Sequence, residues 1–84
     1  MYYVYVLCNE EGQLYIGFTS DLRRRIEKHN AGHGCTTRGS KWEVVYYEAY
    51  KAKSDAWSRE QALKGSTQAR RWLMKRIKNS MPSR

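Results

Sequence analysis

Tyr3, Tyr5, Tyr15, Gly17, Arg25, His29 and Glu60 are the residues whose types and spacing could do chemistry in this chain. Arg25 and His29 stand four apart, beside the apolar pair Leu22 and Ile26. On a helix that spacing puts a cation and an imidazole side by side next to a buried stripe, as in the wall of a pocket. Side chains alternate faces along a strand, so Tyr3 and Tyr5 share one face of a first strand and Tyr15 and Gly17 share one face of a second. If the paired residue numbers sum to an even number, all four lie together, and Gly17 leaves room for a ligand or another backbone. Glu60 lies in WSREQALKG. At ~100° per residue it falls within an apolar stripe of Ala56, Trp57 and Leu63. A buried carboxylate is costly unless it meets a cation, a donor or a metal. Each signal has a plainer reading: packing tyrosines, a solvated basic helix, a glutamate paired with a nearby Lys or Arg.

Few elements are needed to position these groups. Tyr2–Leu7 and Leu14–Phe18, rich in aromatic and β-branched residues, read as strands joined by the turn Asn9-Glu10-Glu11-Gly12. Thr19, Ser20 or Asp21 caps a helix that Asn30 and Gly32 stop. GHGCTTRGS follows as a Gly-rich basic loop, then a third strand, Trp42–Tyr50. Ser54 is the expected cap of a second helix ending at Gly65. Ser66 or Thr67 caps a third, Gln68–Lys78, with Ala69, Trp72, Leu73 and Ile77 on its apolar side. The expected fold is α/β (α+β), in the order β-β-α-β-α-α. A small three-stranded mixed or antiparallel sheet is flanked by three helices, with one domain at residues 1–78 and a flexible tail at 79–84.

The 84 residues suffice for one domain with a modest core, much of it supplied by seven Tyr, three Trp and one Phe. A net charge of +8, from 16 Lys and Arg against 8 Asp and Glu, favours a polyanionic partner, most simply nucleic acid. An acidic membrane surface would ask for a broad apolar helix face. YYVYVL is too short to span a bilayer and has no basic region or cleavage site around it, so a cytoplasmic protein is expected. Cys8 and Cys35 form no CxxC pair and read as reduced thiols.

With Tyr3-Val4-Tyr5, Tyr15-Ile16-Gly17, FTSDLRRRIEKHN and SREQALKG in this order, the chain resembles the GIY-YIG nuclease superfamily through about residue 78. It looks most like the small stand-alone bacterial members, which resemble the nuclease domain of the excision-repair protein UvrC. The resemblance implies a metal-dependent endonuclease that hydrolyses phosphodiester bonds, of DNA in preference to RNA, with one divalent ion. Glu60 would hold Mg²⁺ or Mn²⁺ through hard oxygen ligands. Arg25 would stabilise the charge of the pentacovalent phosphate. Tyr5 or Tyr15 would position or deprotonate the attacking water, and His29 could accept the proton. Tyr3 and Gly17 would be structural at the site. Arg23, Lys28, Arg38, Arg59 and Lys64 would supply affinity for the strand that falls with salt. A monomer is expected, with a dimer as the alternative.

Two features depart from the family pattern. Tyr3 stands where the name motif has its first glycine, and RRWLMKR has no Asn where larger members carry one. No appended DNA-binding domain is expected. A catalytically weak or inactive nucleic-acid-binding module is the alternative function. A zinc protein using His29, His33 and Cys35 has no well-spaced fourth ligand. A protein-interaction domain leaves Arg25, His29 and Glu60 unexplained.

Overall fold

The computed structural model describes residues 1–30 and 41–81. Three strands and three helices follow in the expected order: β1 (Tyr2–Asn9), β2 (Leu14–Thr19), α1 (Leu22–Asn30), β3 (Trp42–Tyr50), α2 (Lys53–Gly65) and α3 (Thr67–Arg76). The sheet is wholly antiparallel, with strand order β2-β1-β3. The central position of β1 explains its composition. Both of its edges are paired, and Val4 to Cys8 are buried on both faces.

The β1–β2 turn is built by Asn9. Its Oδ1 accepts the backbone N–H of Glu11 and of Gln13, and its Nδ2 donates to Gln13 Oε1 at 2.7 Å. Gly12 takes φ 82°, the left-handed conformation that glycine adopts without a Cβ clash. This turn sets the register Tyr3↔Thr19, Tyr5↔Gly17 and Leu7↔Tyr15. The sums are even, so Tyr3, Tyr5, Tyr15 and Gly17 share one face.

Each face of the sheet has its own core. On the even-numbered face, Val4, Val6 and Ile16 pack with Ala56 and Leu63 of α2 and Leu73 and Ile77 near α3. On the odd-numbered face, Tyr5, Leu7 and Trp42 are buried beneath Leu22 and Ile26 of α1, with Tyr15 and Val44 beside them. Asp21 caps α1 by accepting the Arg24 N–H, and Asn30 closes it by accepting the Trp42 N–H at 2.9 Å.

Several local expectations are corrected. The helix α2 starts at Lys53, its N-cap is Ala52, and no side chain caps it, so Ser54 lies inside the first turn. Trp57 and Trp72 are 55% and 64% exposed. The buried positions of α2 are Ala56, Glu60 and Leu63, and that of α3 is Leu73. Each tryptophan sits one residue, ~100°, off its stripe. Ser66 caps α3 as expected, accepting the Ala69 N–H. Met81, placed by the sequence in a free tail, packs against the even-face core. Gly32, His33, Cys35 and Arg38 lie outside the described residues, as do residues 82–84.

Candidate active site

The site is built around Tyr5, whose side chain is fully buried. Its cross-strand partner is Gly17, and a Cβ there would collide with the Tyr5 hydroxyl and ring. The space beside Gly17, expected to admit a ligand or another backbone, is filled by the Tyr5 phenol. It is the channel through which the phenol crosses β2 toward the sheet's edge.

The Tyr5 hydroxyl meets His29 Nε2 at 3.0 Å. His29 is the buried residue of α1, its ring filling the gap between Tyr5 and Tyr15. The His29 centroid lies 4.7 Å from that of Tyr15 and 6.0 Å from that of Tyr5, edge to face in both cases. Trp42 closes the far side of Tyr15 at 6.4 Å. Arg25, one turn before His29 on α1, is exposed, and its positive charge opposes the rise of the Tyr5 pKa. Tyr5 and His29 share this hydrogen bond, and its direction follows the tautomer of the imidazole.

These contacts set the protonation states. Burial raises the Tyr5 pKa well above that of a free phenol, and the neighbouring Tyr15 and Glu60 add to the rise, while Arg25 opposes it. Tyr5 is a neutral phenol at pH 7. Burial, and then the Arg25 charge, lower the His29 pKa below 6.5, so its imidazole is neutral as well.

Glu60 arrives from the other side of the sheet. It is 8% exposed on α2, in the stripe with Ala56 and Leu63, and its charge is felt at the Tyr5 phenol. Its Oε2 is paired with Lys64 Nζ at 2.9 Å. Lys64 belongs to the same region as Tyr15. With Leu14, Tyr15, Ile16 and Arg70 it lines an open cleft of about 560 Å³ along the β2 edge. Arg70 donates to the carbonyls of Leu63 and Lys64, both at 2.7 Å, and so fixes the C-terminal end of α2 at this cleft.

Tyr5, Tyr15 and His29 are thus in mutual contact, and the charges of Arg25 and Glu60 act on the Tyr5 phenol. Tyr3 lies further along the same face, against Tyr47. Arg23 and Lys28 are exposed on α1, and Lys64 is half-exposed. Arg59 leaves the set of cations open to a strand: its Nε and Nη2 grip both oxygens of Glu48 at 3.0–3.1 Å. Trp42 and Arg70 were not singled out by the sequence. A strand-initial Trp and one Arg among many carry no spacing signal, and their roles depend on the packing of α1 and α2.

Among the described residues no three His, Cys, Asp or Glu side chains cluster as a metal cage. The donor available is the single hard carboxylate of Glu60. That suits an ion of the Mg²⁺ type, which keeps several waters and takes substrate phosphate oxygens as further ligands. The imidazole that a zinc site would need has its Nε2 engaged by Tyr5.

A family model described as the GIY-YIG catalytic domain matches residues 1–76. A UPF0213 protein of Haloquadratum walsbyi is 40% identical over 73 residues, covering 83% of this chain and 81% of that protein. A UPF0213 protein of Staphylococcus aureus strain Mu3 is 36% identical over 72 residues, covering 83% and 88%. The solution NMR structure of a UPF0213 protein from Bacillus halodurans superposes with a TM-score of 0.58 at 35% identity, covering 89% of this chain and 84% of that one. A match over residues 1–76 and relatives of this identity and coverage place the chain: it belongs to the GIY-YIG catalytic domain family.

Proposed function

We propose that this protein is a metal-dependent endonuclease that hydrolyses phosphodiester bonds in DNA, with Glu60 as the ligand of one Mg²⁺ or Mn²⁺ ion. The observation that carries the reading is the buried Tyr5–His29 hydrogen bond, packed against Tyr15, with the charges of Arg25 and of the buried Glu60 acting on the phenol. A purely structural polar cluster would balance its charges internally. Here the cation that acts on the cluster, Arg25, stands exposed to solvent.

The ion would polarise the scissile phosphate and stabilise the leaving oxygen. The protein's own groups would do the rest. Arg25 faces solvent and donates to the equatorial phosphate oxygens as their charge grows. Tyr15 positions the attacking water. Tyr5 stays protonated at neutral pH, so it works as a relay: its oxygen takes a proton from the water while its own proton passes to His29 Nε2. Lys64, which holds Glu60 in the absence of an ion, is released to the phosphate backbone. Together with Arg23 and Lys28 it makes binding salt-dependent and insensitive to sequence.

The test is cleavage of supercoiled, branched and single-stranded DNA, and of RNA, with and without Mg²⁺ or Mn²⁺. Wild type should cut only with the ion, and Arg25→Ala, Tyr15→Phe and Glu60→Ala should each lose activity. Equal cutting by wild type and Glu60→Ala overturns the assignment. Salt-sensitive binding that survives in every variant without any cutting identifies a binding module instead.

A further inference from the structure

The odd-numbered face carries a second cleft that the proposed chemistry does not use. It encloses about 470 Å³ between α1 and the β1–β3 side of the sheet, lined by Tyr3, Leu22, Arg23, Ile26, Glu27 and Tyr47. Its wall is aromatic: Tyr3 and Tyr47 meet edge to face at 6.0 Å and 66°. Tyr47 is 54% exposed, an unusual placement for a large ring on a strand that has better-covered positions. The floor is Leu22 and Ile26, whose other sides pack on the core. The rim carries one guanidinium, Arg23, and one carboxylate, Glu27, one helical turn apart.

That inventory selects an occupant. A phosphate would be repelled by Glu27 and would waste the rings. A planar heterocycle with apolar faces and an edge of donors and acceptors uses every part. Its face lies on Tyr47, and its edge meets a donor-only guanidinium and an acceptor-only carboxylate. The cleft lies on the same face of the sheet as Tyr5. Tyr47 is the cross-strand partner of Tyr5, and Tyr3 stands two residues from Tyr5 along β1, about 7 Å by strand rise. Arg23, which lines the cleft, and Arg25 belong to the same helix.

We infer that the Tyr3–Tyr47 cleft binds an unstacked nucleobase of the substrate strand, next to the bond to be cut. This rests on the nucleic-acid substrate proposed above. A base inside a duplex stack has no free face to offer, so the cleft selects strands with an unpaired or extruded nucleotide at that place.

The test separates binding from cleavage. Binding of a labelled single-stranded DNA oligonucleotide is measured by anisotropy in EDTA, beside the same oligonucleotide with its central bases replaced by abasic sites. For Tyr47→Ala, affinity for the normal strand should fall about 5- to 150-fold, the range of one lost base–aromatic stack, and Tyr47→Trp should retain it. Abasic replacement should cost wild type a similar factor and cost Tyr47→Ala little more. Tyr47 is exposed, so its truncation leaves the fold intact. Unchanged affinity for Tyr47→Ala, an equal loss on normal and abasic strands, or no single-strand binding by wild type overturns the inference. So does a change of oligomeric state on Tyr47→Ala, which would make the cleft a contact between copies of the chain. Failure of wild type to cut DNA with Mg²⁺ defeats the nuclease reading while base-dependent binding stands. Cutting by Tyr47→Ala with wild-type kcat/KM on unpaired and duplex sites alike defeats the base cleft while the nuclease reading stands.

Discussion

The two faces of the sheet each carry a cluster of tyrosines with an arginine and an acid, and the clusters do different things. On the even-numbered face, Glu48 accepts Tyr46 at 2.6 Å, accepts Tyr50, and is gripped by Arg59. Burial alone would raise the Glu48 pKa, but the hydrogen bonds from Arg59, Tyr46 and Tyr50 outweigh it and hold the carboxyl below its ordinary value. Burial and the Glu48 contact push Tyr46 and Tyr50 up to about 12. One acid and one base cancel, and the hydroxyl and guanidinium donors turn inward onto the carboxylate. On the odd-numbered face, Tyr5 and His29 are buried more deeply than Tyr46, Glu48 and Tyr50, but the cation whose charge acts on them, Arg25, is exposed and the acid comes from beyond the β2 edge. Residue types alone do not separate a fastener from a site. Whether the charge is balanced inside the cluster or left facing solvent does.

Substitutions on the two faces should therefore have opposite signatures. Arg25→Ala should lower kcat by about 10²–10³-fold, the scale of one lost donor to transition-state charge, with the thermal midpoint little changed. Comparable loss from Arg59→Ala would erase the distinction. Gly17→Ala lies between the two classes. The new Cβ meets the buried Tyr5 phenol and displaces it from His29, so it should cost about 1–3 kcal/mol in denaturant unfolding and most of the activity. Unaltered cleavage by this variant would show that the Tyr5 position is irrelevant. Arg59→Ala leaves Glu48 half-covered without its cation. Allowing for solvent screening of Arg59, about 1–2 kcal/mol of stability should be lost while kcat/KM holds.

The smallest effects concern pH. The folded-state pKa of His29 is depressed, so the stability it contributes is complete above about pH 6.5 and is lost as pH falls through the lower folded value. If neutral His29 receives the relayed proton, the acid limb of kcat should also lie below pH 6.5 and should vanish in His29→Ala. Glu48 is depressed too. Its contribution is complete above about pH 4.5 and fades on further acidification, visible in the midpoint of Glu48→Gln against wild type but not in the rate. An acid limb that moved with Glu48→Gln would couple the two faces and break the comparison.

Much of this organisation was legible in the residues. Strand order along the chain, the Asn9–Gly12 turn, the limits of β3 and the end of α2 follow from local propensity and turn chemistry. The shared face of Tyr3, Tyr5, Tyr15 and Gly17 follows from strand alternation once an even register is supplied, and the turn supplies it. Trp57 and Trp72 misled because hydrophobicity predicts burial only on average, whereas a rotation of ~100° decides it at a given position. Arg59 misled because a basic residue in a basic chain reads as a free cation, and its partner Glu48 is eleven residues away on another element.

The sequence by itself determined which side chains share a face within β1, β2 and α1, because those periods are local properties of the backbone; in β3 an irregularity opposite Val6 and Leu7 puts Trp42 and Val44 on the other face from Tyr46 and Glu48. It also marked Glu60 as an acid in an apolar stripe. Only the tertiary structure decided that Gly17 is bare to let the Tyr5 ring pass and that His29 completes that ring's hydrogen bond. It also decided that one arginine closes a charge balance while another stays exposed. Those are relations between elements, set by how two helices and a third strand pack on a hairpin, and no local period encodes them.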